Sequence, residues 1–342
     1  MKRKQGLALL LTGLMTVSAF AMTGCSGGST ESADGGASTA AEGEQVIIYS
    51  NADDEAIEAM KATLDANGYA DQYMFQTFGT SELGGKVLAE GTNIEADLIT
   101  LSTFYIDSAQ EQQNMFQDLN FTYQLLDGSE KTYCAPITSQ EGAIIVNTEM
   151  LAENNLPMPT CLKDLTDPVY KDMISVTDIQ SSSTAWLLIQ ALVSEYGEDG
   201  AKEVLSAIYE NAGPHIESSG SAPLKKVRAG EVAVGFGLRQ QAVADKAEGL
   251  PIDYVDPTEG NFSLTESIAV VDKGNATNPL AQEMAQCIIE NGRATLQEYY
   301  PNALYEGEVT DSVNASAYPK TFAEPLTVEL LEAHQALSES CK

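Results

Sequence analysis

The chain of 342 residues has few of the side chains on which most catalytic and metal-binding motifs depend. It contains only two histidines, His215 and His334, and a single tryptophan. The HExxH motif is absent, as is any closely spaced set of His and Cys ligands. The sequence therefore predicts no metal site, no resident cofactor and no catalytic activity.

Basic residues are also scarce, with 18 Lys and Arg against 50 Asp and Glu and a formal net charge of −32. A surface of this sign repels nucleic-acid phosphates and anionic lipid. We therefore exclude nucleic acid as a partner and interpret most of the acidic residues as a solvated surface. No internal repeat of fixed period occurs, which excludes solenoids and propellers.

The longest hydrophobic run lies near the start of the chain and is short for a membrane span. Lys2, Arg3 and Lys4 precede an apolar stretch over residues 6–21, an arrangement typical of a secretory signal. It ends in the sequence MTGC, where a small residue directly precedes Cys25 as in a bacterial lipobox. We expect residues 1–24 to be removed and Cys25 to be lipidated, which would give an extracytoplasmic, membrane-anchored protein on the cell surface or the periplasmic face.

Residues 25–44 carry Gly, Ser, Thr, Ala and acids after the cysteine, and no large apolar side chain. Such a segment cannot bury enough surface to fold and predicts a flexible tether. Four cysteines follow it: Cys134, Cys161, Cys287 and Cys341. Their even number in an exported chain leaves both disulfides and free thiols open.

From residue 45 onward, β-branched runs alternate with segments of helical periodicity. The run 45–49 predicts a strand, and Ile57, Met60 and Leu64 have the spacing of the following helix. This alternation predicts an α/β fold, and the length of the segment is enough for two domains. The further predicted strands are 73–78, 97–101, 143–146, 173–176, 231–236 and 267–271, and the helices are 81–90, 184–195, 222–229, 279–290 and 326–337.

Serine and threonine recur at the predicted helix starts, and polar side chains follow several strands. Helix N-termini present unpaired N–H groups and favour anions, so several of them around one cleft would suit a small polar anion. Each hydroxyl also has the simpler explanation of helix capping. The candidate ligand-binding residues from this pattern are Asn51, Thr80, Ser81, Ser102, Ser182, Ser183, Ser219 and Ser221.

Seven segments, taken in order, resemble the extracellular solute-binding proteins of ABC importers, in the branch that includes ferric-ion and 2-aminoethylphosphonate receptors. They are VIIYS at 46–50, GGKVLAE at 84–90, ADL at 96–98, EGAIIVN at 141–147, SGS at 219–221, VRAGEVAVG at 227–235 and ESIAV at 266–270. The resemblance covers essentially everything after the tether.

This resemblance implies a type II periplasmic-binding-protein fold, in which a ligand is enclosed between two α/β lobes by hinge closure. The expected lobes are 45–140 with 265–342, and 141–264, with hinge crossings near Gln140 and Thr265. The C-terminal helices can be placed on either lobe. The family further implies a monomer that binds a small-molecule solute and passes it to a membrane permease without chemical change.

Ferric receptors of this family have an adjacent tyrosine pair after the strand equivalent to 232–237, where this chain has Leu-Arg-Gln-Gln at 238–241. Arginine cannot ligate a metal, whereas its planar fork suits phosphonate or carboxylate oxygens. Arg239 is therefore the predicted anion contact. Tyr299 and Tyr300 come too late in the chain to be that pair, and we interpret them as packing residues.

A nearby carboxylate could also pair an amine of the ligand, and Asp53, Asp54 and Glu141 are the candidates. The sequence thus predicts a receptor for a small anionic or zwitterionic solute such as an aminoalkylphosphonate. Two alternatives stay open at this point: a receptor for ferric iron or a ferric chelate, and an extracellular hydrolase built on the same two-lobed scaffold.

Overall fold

The computed structural model describes residues 45–342. The predictions of a signal peptide, of lipidation at Cys25 and of a tether up to residue 44 lie outside the described residues. Within 45–342, none of the helices combines the length and the apolar character that crossing a bilayer demands.

Within residues 45–342, ten strands belong to one sheet. They are β1 (Val46–Ser50), β2 (Tyr73–Thr77), β3 (Leu98–Ser102), β4 (Ala135–Asn147), β5 (Ile174–Thr177), β6 (Ile216–Glu217), β7 (Val234–Leu238), β8 (Ile252–Val255), β9 (Asn261–Val270) and β10 (Pro319–Lys320).

Helices follow most of the strands, as expected of an α/β chain. They are α1 (Asp54–Ala66), α2 (Thr80–Glu90), α3 (Thr103–Gln113), α4 (Thr148–Glu153), α5 (Thr184–Ala212), α6 (Ala222–Arg228), α7 (Arg239–Ala247), α8 (Pro279–Tyr299) and α9 (Val328–Glu339). Helix α5 is interrupted at Gly197, whose φ of 67° lies in the left-handed region that glycine tolerates.

The strand order is β2-β1-β3-β9-β4-β7-β5-β6, with β8 paired to β4 and β10 to β9. Strands β1, β2 and β3 are parallel to one another, and so are β5, β6 and β7. The long strands β4 and β9 join these two groups. β4 pairs with β9 up to Glu141 and with β7 from Gly142. This change of partner lies beside Gln140, one of the two predicted hinge crossings.

Two main hydrophobic clusters cover the sheet. One packs α1 and α8 on the β1 and β9 strands, through residues such as Met60, Ile268 and Ile288. The other gathers α2, α3, α5 and α9 around Trp186, which has no exposed surface and donates from Nε1 to Nδ1 of His334 at 2.7 Å. This contact ties the C-terminal helix α9 to α5.

The α/β class predicted from the sequence is confirmed, and every strand and helix predicted there overlaps an observed one. The pattern failed at the ends of elements: α2 begins at Thr80 with Gly79 as its N-cap, so Ser81 lies inside the first turn and does not cap it. The four cysteines after residue 45 are free thiols, three of them buried. The division into two lobes stays a prediction.

Candidate functional site

A cavity of about 430 Å³ lies where the segments following β1, β2, β5 and β6 approach one another. These four segments are the carboxyl ends of parallel strands, where α/β folds usually bind ligands. The wall consists of residues 51–55, 77–80, 181–184 and 218–221, together with Gln140, Leu224, Lys225, Arg228, Gln241, Glu266 and Tyr300.

Two segments of the wall approach each other so closely at Gly220 that a side chain there has no room. At Gly79, by contrast, an added Cβ would make an ordinary contact of 3.5 Å with the carbonyl oxygen of Ser181. A Cβ on Gly220 would lie 2.9 Å from Cβ of Thr184, closer than such atoms normally come. The serine segments 181–184 and 218–221 therefore form one continuous surface.

One side of the cavity is rich in hydroxyl groups and carries positive charge. The N-terminus of α5 reaches it, and the hydroxyls of Ser219 and Ser221 lie 3.3 Å apart in the neighbouring segment. Lys225 and Arg228 belong to the same side. Arg228 is engaged by Asp245, whereas no carboxylate of the described residues forms a salt bridge with Lys225.

The other side is acidic and largely buried. The side chain of Glu266 is 4% exposed and accepts a hydrogen bond from Nδ2 of Asn51 at 2.7 Å. The same Asn51 nitrogen donates to Thr80 at 3.0 Å. The hydroxyl of Tyr300 donates to Oδ2 of Asp53 at 3.3 Å, which fixes that carboxylate at the cavity.

Burial raises the pKa of both carboxyl groups. For Glu266 desolvation, with the added repulsion of Asp53, raises the pKa to about 7, although hydrogen bonding by Asn51 opposes the change. The hydroxyl of Ser102 also favours the charged form of Glu266, but it does not reach full hydrogen-bond geometry. For Asp53 desolvation, followed by repulsion from Glu55, raises the pKa to about 6.

Two acceptor atoms of the wall have no donor among the described residues. They are Oδ1 of Asn51 and Oε1 of Gln241, and both are buried. The orientation of Asn51 is set by its amide nitrogen, which faces Glu266 and Thr80. Buried oxygens without donors are costly, so these two atoms indicate a ligand that carries N–H or O–H groups.

Six of the predicted ligand-binding residues lie in the wall: Asn51, Thr80, Ser182, Ser183, Ser219 and Ser221. Ser81 and Ser102 do not. Ser81 points to Tyr105. Burial raises the pKa of Tyr105, and the hydrogen bond with Ser81 partly offsets this rise. Ser102 is fully buried beside Glu266. For these two residues the sequence placed the backbone correctly but not the direction of the side chain.

Arg239 lies outside the cavity wall, so the structure does not support its predicted role as the anion contact. Its guanidinium is 4% exposed and pairs with Asp256 through two hydrogen bonds of 2.7 and 3.1 Å. Its remaining donors reach the carbonyl oxygens of residues 313–315, and its plane lies over Tyr254. Through these contacts Arg239 anchors the segment that follows α8.

Sequence reasoning did not predict several polar residues of the wall, among them Lys225, Gln241, Glu266 and Tyr300. The ring of Tyr300 is buried, as a packing role predicts, yet its hydroxyl also reaches Asp53, while Tyr299 is largely exposed. Of the acids suggested for a ligand amine, Asp53 and Asp54 line the cavity. Glu141 lies apart from it, near Ser316 and Arg239.

The described residues contain no group of three or more His, Cys, Asp or Glu side chains arranged to hold a metal ion. Neither histidine lies in the wall, because His334 is buried against Trp186 and His215 lies near Lys226. The serines of the cavity therefore have no imidazole base beside them. The arrangement suits binding of a small polar molecule.

Comparison with known proteins agrees with this picture. The family model described as bacterial extracellular solute-binding protein matches residues 49–322. An uncharacterized protein of Haemophilus influenzae is 34% identical over 116 residues, a match that spans 34% of this chain and 33% of that relative's length.

Solved structures share the whole fold at low identity. The periplasmic binding protein AfuA from Actinobacillus pleuropneumoniae, solved with fructose-6-phosphate, is 22% identical with a TM-score of 0.67, over 86% of this chain and 95% of the other. Iron-bound HitA from Pseudomonas aeruginosa is 17% identical with a TM-score of 0.68, over 87% and 99%. The predicted type II periplasmic-binding-protein architecture is thus confirmed.

Proposed function

This chain belongs to the bacterial extracellular solute-binding protein family, and on that premise we propose that it captures a small anionic or zwitterionic solute, with an aminoalkylphosphonate as the candidate. It delivers this solute to the membrane permease of an ABC importer. It acts as a monomer, anchored outside the cytoplasm through a lipid on Cys25, and carries out no chemical step.

The observation that carries the proposal is the convergence of two helix N-termini and two serine-rich segments on one cavity with Lys225 in its wall. Helix N-termini and hydroxyl groups bind oxyanions without a bound metal. The volume of about 430 Å³ is within the range of small-molecule sites. The cavity wall combines 51–55, 77–80, Glu266 and Tyr300 with 181–184, 218–221 and Lys225. Closure of two lobes, 45–140 with 265–342 and 141–264, would therefore enclose the solute.

A ferric or ferric-chelate receptor is the second candidate, because Tyr300, Asp53 and Glu266 offer oxygen ligands in one wall. Two features weigh against it. The site has one tyrosine, and burial raises the pKa of Tyr300 well above its ordinary value, which disfavours the phenolate that iron would need. The positive and hydroxyl-rich opposite side also suits an anion better than a cation. A hydrolase is disfavoured because neither histidine lies in the cavity wall beside the serines.

Thermal-shift measurements on the purified protein test the proposal, with 2-aminoethylphosphonate, a phosphate ester, putrescine and ferric citrate as separate probes. A ligand at 100 times its Kd should stabilise the protein by about 2.7 kcal/mol, which raises Tm by several degrees. Lys225→Gln should reduce the phosphonate shift, whereas Lys171→Gln, an equal charge change on an exposed residue far from the cavity, should leave it intact. A shift with ferric citrate alone would replace the proposal with the iron receptor.

A further inference from the structure

The acidic side of the cavity is unusual for a site that would bind only an anion. Asp53, Asp54, Glu55 and Glu266 all reach the wall, and Glu266 is 4% exposed. The acids at 53–55 lie at the start of α1, whose N-terminus favours negative charge, and Lys225 also acts on Asp53. Glu266 lies in β9 without such a partner, and a buried carboxylate without a cation is costly. The position of Glu266 therefore needs an explanation beyond the binding of phosphonate or phosphate.

We propose that Asp53 and Glu266, held by Tyr300 and Asn51, form a subsite for the ammonium group of the ligand. The inference rests on the proposed function, and it narrows the solute to a short zwitterion with an ammonium at one end and an oxyanion at the other. The hydroxyl groups, the N-terminus of α5 and Lys225 on the opposite side receive the oxyanion.

The hydrogen bonds within this subsite leave acceptor atoms for a ligand. Asn51 uses its Nδ2 group on Glu266 and Thr80, and its Oδ1 has no donor among the described residues. Tyr300 gives its proton to Asp53. An ammonium group has three donors and no acceptor. It would complete the hydrogen bonds of Oδ1 of Asn51 and of the two carboxylates at once.

The electrostatics agree with this geometry. Desolvation and the nearby charge of Asp53 raise the pKa of Glu266 to about 7. Desolvation and the nearby charge of Glu55 raise the pKa of Asp53 to about 6. The charged groups around them are Asp54 and Glu55 on the start of α1 and Lys225 on α6, with Tyr300 at the end of α8. A bound ammonium stabilises the ionised carboxylates, so its affinity should rise from about pH 5 to about pH 8.

Three probes separate the two ends of the ligand: 2-aminoethylphosphonate carries both charges, ethylphosphonate only the anion and putrescine only the ammonium. Isothermal titration of the purified protein should give at least about tenfold tighter binding for 2-aminoethylphosphonate than for ethylphosphonate. Glu266→Gln and Asp53→Asn should each remove this preference, while ethylphosphonate binds as well as before or better. The preference of the wild-type protein should shrink below about pH 6.

Glu141→Gln is the matched control, because Glu141 is a half-buried carboxyl group outside the cavity whose pKa burial also raises. It should keep the preference for the amine. Equal binding of the two phosphonates by the wild-type protein would overturn the ammonium subsite and leave the anion receptor standing. Binding of putrescine alone, lost in Glu266→Gln, would support the subsite and overturn the proposed anionic cargo. Binding of none of the three, or of ferric ion alone, would overturn both.

Discussion

Removing the charge of Glu266 should change how the stability of the unliganded protein depends on pH. Its carboxyl group has a pKa near 7 in the folded protein against an ordinary value of 4.5. The folded state therefore holds a proton more tightly than the unfolded state, and the stabilisation this gives is present at low pH and lost as pH rises through about 7. At 1.36 kcal/mol per pH unit the full loss is roughly 3 kcal/mol.

Glu266→Gln keeps the shape of the side chain and an oxygen that can accept the hydrogen bond from Asn51. Urea unfolding at about pH 5 and about pH 8.5 should show that the wild-type protein loses more stability over this interval than the variant, by roughly 2 to 3 kcal/mol. Asp53 also has a raised pKa of about 6, so a smaller pH-dependent loss should persist in the variant.

Glu203→Gln, at an exposed carboxylate of α5, serves as the control and should follow the wild-type protein at both pH values. The slope of free energy against urea should be the same for all three proteins, since their folded surfaces are alike. If the free energy of unfolding changes equally in the wild-type protein and in Glu266→Gln between about pH 5 and about pH 8.5, then Glu266 ionises without cost. That result would refute the reasoning about its burial.

Three further predictions concern residues around the site and the core. Arg239→Met should destabilise the protein by about 3 to 5 kcal/mol in urea unfolding, because a buried carboxylate partner loses its cation, while calorimetry should show unchanged ligand affinity of the folded protein. Gly220→Ala should cost about 1 to 3 kcal/mol and weaken binding, because its Cβ would press on Thr184; full affinity in calorimetry would contradict the tight packing. Under native conditions a thiol reagent should modify Cys161 before the buried Cys134, and Cys161→Ser should remove the fastest phase.

Local patterns in the sequence were enough to predict the helices and strands, and six of the eight serine, threonine and asparagine residues predicted from them lie in the cavity wall. The reason is that the cavity lies at the carboxyl ends of parallel strands, where residues directly after a strand or directly before a helix must meet. A pattern read along the chain finds such residues. It does not give the direction of a side chain, which is why Ser81 and Ser102 were included although they point elsewhere.

The acidic side of the cavity could not be found in this way, because its residues come from distant parts of the chain. Asn51 and Glu266 are 215 positions apart, and Asp53 and Tyr300 are 247 apart. Glu266 lies inside β9, which is largely buried. A charged residue within a buried strand was the one signal in the sequence that could have indicated a functional role for it. Arg239 shows the opposite error: an arginine at a helix start was interpreted as a ligand contact, but Asp256 and the carbonyl oxygens of 313–315 already occupy its donors.

The two sides of the cavity divide along the lobes that we propose. The acidic side, with Asp53, Glu266 and Tyr300, belongs to 45–140 with 265–342, whereas the serines of 181–184 and 218–221 and the cation Lys225 belong to 141–264. A zwitterion would therefore place its ammonium on one lobe and its oxyanion on the other. Because each end interacts with a different lobe, only a solute with both charges would gain from bringing the lobes together. Selectivity for the solute and closure around it would then depend on the same contacts.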